Sequence, residues 1–150
     1  MKIYLDSSAI VKRYVLEEGT DKIKETYFDA FNGTATLHFS VWNIGEVLGT
    51  LDTYYRRKWL ESEDYGAARE SFIAETVRLV KLGAAKIVPV KSKLLTQAWL
   101  LVEKHHIYEA DALQIVSAKN LGADQLLSGD QRLVDISRKE EVNAAYLGLT

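Results

Sequence analysis

Short apolar runs alternate along this chain with longer segments of helical periodicity, and this alternation restricts the fold more than any other feature. Runs of strand character are predicted at Lys2–Leu5, 34–39, 86–90, 125–127 and, most weakly, 142–147. Helical periodicity covers 41–57, 64–82, 92–104 and 111–121. Strands that alternate with helices favour a parallel sheet with helices on both faces, so the sequence predicts an α/β protein with a three-layer α/β/α fold.

Composition narrows the classes of protein that this chain could be. The chain has 150 residues, of which 47% are hydrophobic and 27% charged, and it has neither a repeat nor a linker-like tract, so one domain over 1–150 is predicted. The net charge of −2 provides no overall basic field, and any contact with nucleic acid must be local. The lack of cysteine excludes disulfides and thiolate chemistry. No run approaches the ~18 apolar residues of a membrane span, and we expect a cytoplasmic protein.

Two aspartates come directly after predicted strands. Asp6 follows the run that ends at Leu5, and Asp130 follows the run 125–127, with Ser128 and Gly129 forming the turn. Ligands of parallel sheets bind at the carboxyl ends of the strands, where these two carboxylates would meet. A simpler interpretation is also open for each of them, because aspartate is a favoured helix cap and a favoured turn residue.

Two further acids are predicted at the same edge of the sheet. Asp111 opens the apolar helical segment DALQIVSAKNL, and Glu46 lies one to two turns into SVWNIGEVLGTL. Asp111 could simply cap its helix, and Glu46 could simply be an exposed helical residue. Four carboxylates at one edge would repel one another by about 3 kcal/mol per pair at ~5 Å. Either some of them are protonated or cations lie between them.

The chemistry of these donors indicates the kind of cation. Oxygen ligands without cysteine select hard ions, so Mg²⁺ or Mn²⁺ is expected rather than Zn²⁺. Such ions deliver a water nucleophile and stabilise phosphodiester hydrolysis. We therefore predict a metal-dependent hydrolase in which Asp6, Asp111 and Asp130 are metal ligands. Glu46 would complete the metal shell or orient the attacking water.

The segments YLDSSAIVKRYVLEEG, SVWNIGEVLGTL and YEADALQIVSAKNLGADQLLSGDQRLV resemble the PIN-domain family, in particular the VapC-type toxin ribonucleases of prokaryotic toxin–antitoxin pairs. The resemblance runs from Lys2 to about Val134. It implies a homodimeric ribonuclease that uses Mg²⁺ or Mn²⁺ and has an antitoxin partner. The implied catalytic and metal-binding residues are Asp6, Glu46, Asp111 and Asp130, supported by the hydroxyls of Ser7 and Ser128. Ser128 departs from the threonine that is more usual there but keeps the hydroxyl.

Cations near the acidic edge are candidates for binding the phosphates of RNA. Arg132 is preferred because it is close to Asp130 in sequence, and Lys12 and Arg13 are further candidates, ahead of the basic run 56–58. For each of them, a solvated helix face is the alternative interpretation.

The histidines and tryptophans are assigned no catalytic role. His105 and His106 are predicted to lie in a surface loop, and His38 is predicted to face away from its apolar neighbours in a strand. Trp42, Trp59 and Trp99 could stack on unpaired bases, although packing in the core or in a dimer is the commoner use of tryptophan.

Two alternative functions remain open from the sequence. A phosphatase with Asp6 as covalent nucleophile is disfavoured because Ser8 occupies the position of the usual second aspartate. A dimeric PIN-like binding module without turnover, acting through a protein partner, is disfavoured by the full set of acids.

Overall fold

The computed structural model describes residues 1–148, and within them five strands form one parallel sheet. The strands are β1 (Lys2–Leu5), β2 (Thr36–Ser40), β3 (Ala85–Val88), β4 (Gln125–Ser128) and β5 (Ala144–Tyr146), in the order β3-β2-β1-β4-β5. All five predicted strands are confirmed, β1 with the predicted bounds and the other four with shifted ends. β2 begins later than predicted because Asn32 Oδ1 accepts hydrogen bonds from the backbone and hydroxyl of Thr34 in a turn. β3 stops at Val88 because Pro89 has no N–H to donate.

Seven helices accompany the sheet in the described part of the chain. They are α1 (Ser7–Tyr14), α2 (Thr20–Phe31), α3 (Val41–Arg56), α4 (Ser62–Lys81), α5 (Ser92–His105), α6 (Glu109–Leu121) and α7 (Gln131–Lys139). Four of them were predicted with nearly correct bounds. The sequence analysis missed α2, whose buried stripe includes the polar residues Thr20 and Thr26 and so gives a weak apolar signal. No helix within 1–148 is both long and apolar enough to cross a membrane.

The helices cover both faces of the sheet, which confirms the three-layer α/β/α prediction. Side chains alternate along β1, so that Ile3 and Leu5 belong to the apolar cluster under α1–α4. Tyr4 points to the opposite face and belongs to the cluster under α5–α7. The α6 helix is buried from Ala112 to Ala118 because it packs on the sheet between α5 and α7.

The strand order places a topological switch at the centre of the sheet. From β1 the chain continues outward to β2 and β3 on one side, and β4 and β5 complete the other side. Crossovers that leave in opposite directions open a crevice at the carboxyl ends of the strands that flank the switch. Here these strands are β1 and β4, which Asp6 and Asp130 follow.

Candidate active site

Asp6 is the most enclosed acid of the site. It caps the N-terminus of α1 and is only 5% exposed. Its Oδ1 accepts hydrogen bonds from Ser8 Oγ at 2.6 Å and Ala9 N at 2.9 Å, and its Oδ2 accepts one from Ser128 Oγ at 2.6 Å. Burial raises the pKa of Asp6 to about 6, although these hydrogen bonds oppose the rise and the charge of Asp130 adds to it. Asp6 is thus both a helix cap and a buried carboxylate whose charged form is disfavoured.

Ser8 is a supporting residue that the sequence analysis missed. Besides donating to Asp6, its Oγ accepts a hydrogen bond from Gly129 N at 2.8 Å and therefore ties α1 to the turn after β4. Ser7, which was predicted to support the site, donates to Glu46 Oε1 at 3.1 Å. Adjacent residues of a helix point about 100° apart, so the two serines serve two different acids. A serine two residues after a capping aspartate was the available signal.

Glu46 is held from two sides on α3. Its Oε1 accepts hydrogen bonds from Ser7 Oγ and, at 3.2 Å, from Asn43 Nδ2. Asn43 is fully buried, and its Oδ1 accepts a hydrogen bond from Ser40 N at 2.8 Å. Ser40 and Asn43 form the capping box of α3, a sequence signal that could have identified Asn43. The embedded position predicted for Glu46 is consistent with its partial burial.

Asp111 and Asp130 lie at the starts of α6 and α7. Asp111 is in the first turn of α6, and its pKa is raised by burial and by the charges of Asp130 and Glu46, while Arg132 opposes the rise. Asp130 is exposed and caps α7, where its Oδ1 accepts hydrogen bonds from Arg132 N at 2.9 Å and Leu133 N at 3.3 Å. The charges of the four acids therefore act on one another along a single edge of the sheet.

Within the described residues, these acids do not form a pre-arranged metal-binding site. Within residues 1–148, no three His, Cys, Asp or Glu side chains are grouped so that they could hold one metal ion. The carboxylate oxygens instead accept hydrogen bonds from the protein. Asp6 accepts three such bonds, and Asp130 Oδ1 accepts two. The donor chemistry nevertheless fits a hard divalent ion, because every donor is oxygen and because burial, together with the neighbouring acids, raises the pKa of Asp6 and Asp111.

The predicted cations occupy three different environments. Arg132 is exposed, donates from Nη2 to His106 O at 3.0 Å and acts electrostatically on Asp111. Lys12 is buried against the turn after β4, since a Cβ at Gly129 would lie 2.8 Å from Lys12 Cε, and its Nζ lies 3.3 Å from Glu17 Oε1. A side chain at position 129 would therefore displace the end of the Lys12 side chain.

Arg13 has a structural environment rather than an open one. Its Nε and Nη2 donate to the two carboxylate oxygens of Glu75 at 2.8 and 2.9 Å. The guanidinium also lies 5.0 Å from the ring centre of Tyr27. In the run 56–58, Arg56 pairs with Asp52 at 2.9 Å and Arg57 covers the ring of Trp59 at 5.1 Å. These cations consequently support α1, α3 and the turn after α3.

Two expectations about the histidines and tryptophans need correction. His105 is the last residue of α5, not a loop residue, and its Nε2 lies 2.9 Å from Glu140 Oε2. Packing of the tryptophans in the core is wrong, because Trp42, Trp59 and Trp99 are 51%, 62% and 53% exposed, while their packing in a dimer stays a prediction. His38 does face away from the cluster that holds Leu37 and Phe39, and burial lowers its pKa to about 4.

Comparison with solved structures shows the same fold in several proteins. VapC20 of Mycobacterium tuberculosis, described as a toxin that cleaves the sarcin-ricin loop, has a TM-score of 0.65 at 14% identity over 89% of this chain and 94% of its own. VapBC2 of Rickettsia felis, solved with a DNA fragment from its promoter, has a TM-score of 0.62 at 14% identity over 97% and 98%. FitAcB of Neisseria gonorrhoeae has a TM-score of 0.65 at 13% identity over 95% of both chains. At these identities the likeness is one of fold.

Comparison with sequences gives one further result. A search of curated proteins finds no match. The model of the PIN domain family matches residues 3–139, which include all four acids. Because this match spans most of the sequence, the chain belongs to the PIN domain family.

Proposed function

We propose that this protein is a divalent-metal-dependent endoribonuclease. The observation that carries the proposal is Asp6, a carboxylate buried at the switch point of the sheet with no cation bonded to it among the described residues. The charge of Asp130 acts on Asp6, and the charges of Asp130 and Glu46 act on Asp111. A buried carboxylate with further acids acting on it is typical of a functional site, and membership of the PIN domain family supports a nuclease.

The four acids would share the work of binding the metal and orienting the water. Asp6, Asp111 and Asp130 would hold one or two Mg²⁺ or Mn²⁺ ions, and Glu46 would complete the shell or orient the water. When bound, such ions supply charge stabilisation for the phosphodiester and a nucleophile at neutral pH. Ser8 and Ser128 fix both oxygens of Asp6, while Ser7 and Asn43 fix Oε1 of Glu46. Attack by water at phosphorus breaks the P–O3′ bond and leaves a 5′-phosphate and a 3′-hydroxyl.

The site also offers groups for the phosphates of the substrate. Arg132 is exposed beside Asp111 and would contact a phosphate without reading sequence. Lys12 reaches the same edge at Gly129, where its ammonium would offset part of the negative charge. Arg13 is the weakest of the predicted contacts because Glu75 engages it in two hydrogen bonds.

We infer a biological setting from the same family and fold. The protein would be a homodimeric cytoplasmic toxin of a type II toxin–antitoxin system, inhibited by an antitoxin protein. The structurally similar proteins support this setting, since VapC20 is described as a toxin that cleaves the sarcin-ricin loop and VapBC2 was solved with a DNA fragment from its promoter. Co-expression with the neighbouring open reading frame, followed by size-exclusion chromatography, tests it. Absence of any stable complex with the product of either flanking gene would contradict the antitoxin assignment.

The decisive experiment is RNA cleavage with the product ends mapped. Purified protein should cut RNA with Mn²⁺ and stop with EDTA, and Asp111→Asn should abolish cutting. Asp21→Asn, an exposed acid in the first turn of α2, is the matched control and should cut like the wild type. Ends with 5′-phosphate support hydrolysis by water, whereas cyclic phosphates indicate attack by the 2′-hydroxyl. Cutting that survives both EDTA and Asp111→Asn would overturn the proposal.

One observation favours a second candidate function. The acids of residues 1–148 are not arranged as a formed metal site, which is what a PIN-like binding module without turnover would show. Such a module would act through a protein partner. It predicts that the protein binds Mn²⁺ but cuts no RNA, and that it acts in cells identically with Asp6→Asn.

A further inference from the structure

A small cavity opens beside the acidic edge of the sheet. Its volume is about 260 Å³, and it is lined by Trp42, Val90, Leu95, Glu109, Ala110 and Leu113. Five of these six residues are apolar or aromatic, and Glu109 supplies the one charge. This volume is below the ~300–1,000 Å³ of sites for drug-sized ligands, so the cavity suits one flat ring system.

The cavity shares its helices with two of the four acids. Trp42 and Glu46 are four residues apart on α3, and residues at that spacing lie on the same face of a helix. On the other side of the cavity, Glu109 and Ala110 immediately precede Asp111 in the first turn of α6. The cavity is therefore built from the same turns of α3 and α6 that carry Glu46 and Asp111, and Trp42 lies on the same face of α3 as Glu46.

The walls of the cavity combine an aromatic platform with a hydrogen-bond acceptor. Trp42 is 51% exposed, so one side of its indole is accessible to a ligand. Glu109 Oε1 accepts a hydrogen bond from Trp99 Nε1 at 2.7 Å, which fixes the carboxylate. Within the described residues, Glu109 Oε2 accepts no hydrogen bond and Glu109 forms no ion pair. That oxygen is available to an N–H donor on a ligand.

We propose that this cavity is a nucleobase subsite that holds the base of one RNA nucleotide adjacent to the cleaved phosphate. The inference rests on the proposed ribonuclease function. The base stacks on Trp42, as unpaired bases do on aromatic side chains. Its amino group donates to Glu109, while the carboxylate repels phosphate and keeps the backbone at the acidic edge.

The carboxylate also gives the subsite a preference among bases. Adenine, cytosine and guanine each carry an amino group that can donate to Glu109. Uracil has only a ring N–H flanked by two carbonyl oxygens, which the carboxylate repels. The proposal therefore predicts selection against uracil at one position next to the cut.

The test is cleavage of a randomised RNA pool, with the ends of the products sequenced. Wild-type protein should show one position beside the cut where uracil is depleted. Trp42→Ala should weaken this preference and raise KM about tenfold through lost stacking, and Trp42→Phe should restore most of both. Glu109→Gln should remove the bias against uracil while leaving KM nearly unchanged. Trp59→Ala, which removes a tryptophan that is 62% exposed at the turn after α3, should change neither quantity.

Binding separates failure of the subsite from failure of the proposed function. Fluorescence anisotropy of a labelled RNA hexamer is compared with that of the same hexamer with one abasic position, using the Asp111→Asn protein to prevent cutting. The intact hexamer should bind more tightly, and the difference should vanish with Trp42→Ala. If wild type cuts RNA but Trp42→Ala leaves KM and base preference unchanged, the subsite is refuted and the nuclease stands. If no RNA is cut but binding still depends on Trp42 and the base, the nuclease fails and the cavity stands only as a site that binds a nucleobase.

Discussion

A carboxylate shielded from water lies at each end of α1, and the two differ in whether the protein supplies a counter-ion. At the N-terminal end, Asp6 is 5% exposed and bonded only to hydroxyl and backbone donors. At the C-terminal end, Glu75 is bonded to the Arg13 guanidinium and the Tyr14 hydroxyl. Burial acts to raise the pKa of both acids. It raises that of Asp6 to about 6, but the bonds from Arg13 and Tyr14 outweigh it and lower the pKa of Glu75.

A buried acid with a structural role can be distinguished from one with a functional role by whether the protein itself supplies its counter-ion. Glu75 has its counter-ion, Arg13, inside the protein. Its charge therefore connects α1 to α4 and needs no ligand to neutralise it. Asp6 has only neutral hydrogen-bond donors around it. Its negative charge therefore destabilises the folded state unless a cation from solution binds to it. The predictions below test this division through activity and stability, beginning with the largest expected effect.

Asp6→Asn should lower the rate of RNA cleavage by at least about a hundredfold, because the proposed metal site loses its buried anionic ligand. Glu75→Gln should leave the rate within about twofold at temperatures where the protein is folded. Both rates are measured in Mn²⁺ on one RNA, with folding checked by circular dichroism. Equal losses of activity in the two variants would contradict the assignment of Asp6 as functional and Glu75 as structural.

Glu75→Gln should instead lower the free energy of unfolding by about 2 kcal/mol, because Arg13 loses its charged partner in a partly buried site. Urea denaturation at pH 7 measures this. Glu70→Gln is the matched control, since Glu70 is exposed on the same helix, and it should change stability little. A loss for Glu70→Gln as large as that for Glu75→Gln would contradict a specific role for the ion pair.

Asp6→Asn should have the opposite effect on stability at neutral pH. The folded pKa of Asp6, about 6, is above its usual value of 3.8, so the folded state binds the proton more tightly than the unfolded state. The wild type therefore gains stability as pH falls from 6 to 4, and above pH 6 it carries the full cost of the buried charge. Removing that charge should stabilise the protein by about 1–3 kcal/mol at pH 8.

The gain from Asp6→Asn should shrink towards zero near pH 4, where Asp6 is protonated in the folded protein. Urea denaturation of both proteins between pH 4 and 8 measures the difference. His38 has a lowered pKa of about 4 and destabilises the protein as pH falls, but this contribution is common to both proteins and cancels. A destabilised variant at pH 8 would show that the three hydrogen bonds to Asp6 outweigh its buried charge.

Ser8→Ala should have the smallest effect. The Ser8 hydroxyl lowers the pKa of Asp6, so its removal should raise that pKa further and shift the acid limb of the pH–rate profile upwards by about one unit or less. Cleavage at pH 6 should fall several-fold, while cleavage at pH 8 changes little. Ser71→Ala, at an exposed site on α4, is the control. An unshifted acid limb would show that Asp6 does not set the pH dependence.

Much of the fold could be predicted because its signals are local. Apolar runs bounded by turns marked all five strands, and Pro89 accounts for the early end of β3. The α2 helix was missed because Thr20 and Thr26 interrupt its apolar stripe, and only packing against the sheet shows that these threonines are buried. Local patterns therefore indicate element type well, but they fail where burial compensates for polarity.

The supporting residues of the site were less predictable. Ser8 and Ser7 are equivalent by composition and position, and only the direction of each side chain from α1 assigns one to Asp6 and the other to Glu46. Arg13 and Lys12 were equal candidates for contacting substrate. Glu75, which lies far away in the sequence, decides that Arg13 belongs to an ion pair instead.

The order of residues along the chain by itself determined that acids follow strands, since that is a relation between neighbours in sequence. It also determined that every candidate ligand is oxygen. Only the folded molecule decided which charges are compensated, because Coulomb energy and desolvation depend on distances between residues far apart in the chain and on exclusion of water. For the same reason, the cavity between Trp42 and Glu109 exists only because the starts of α3 and α6, which lie on opposite faces of the sheet, come together at its edge.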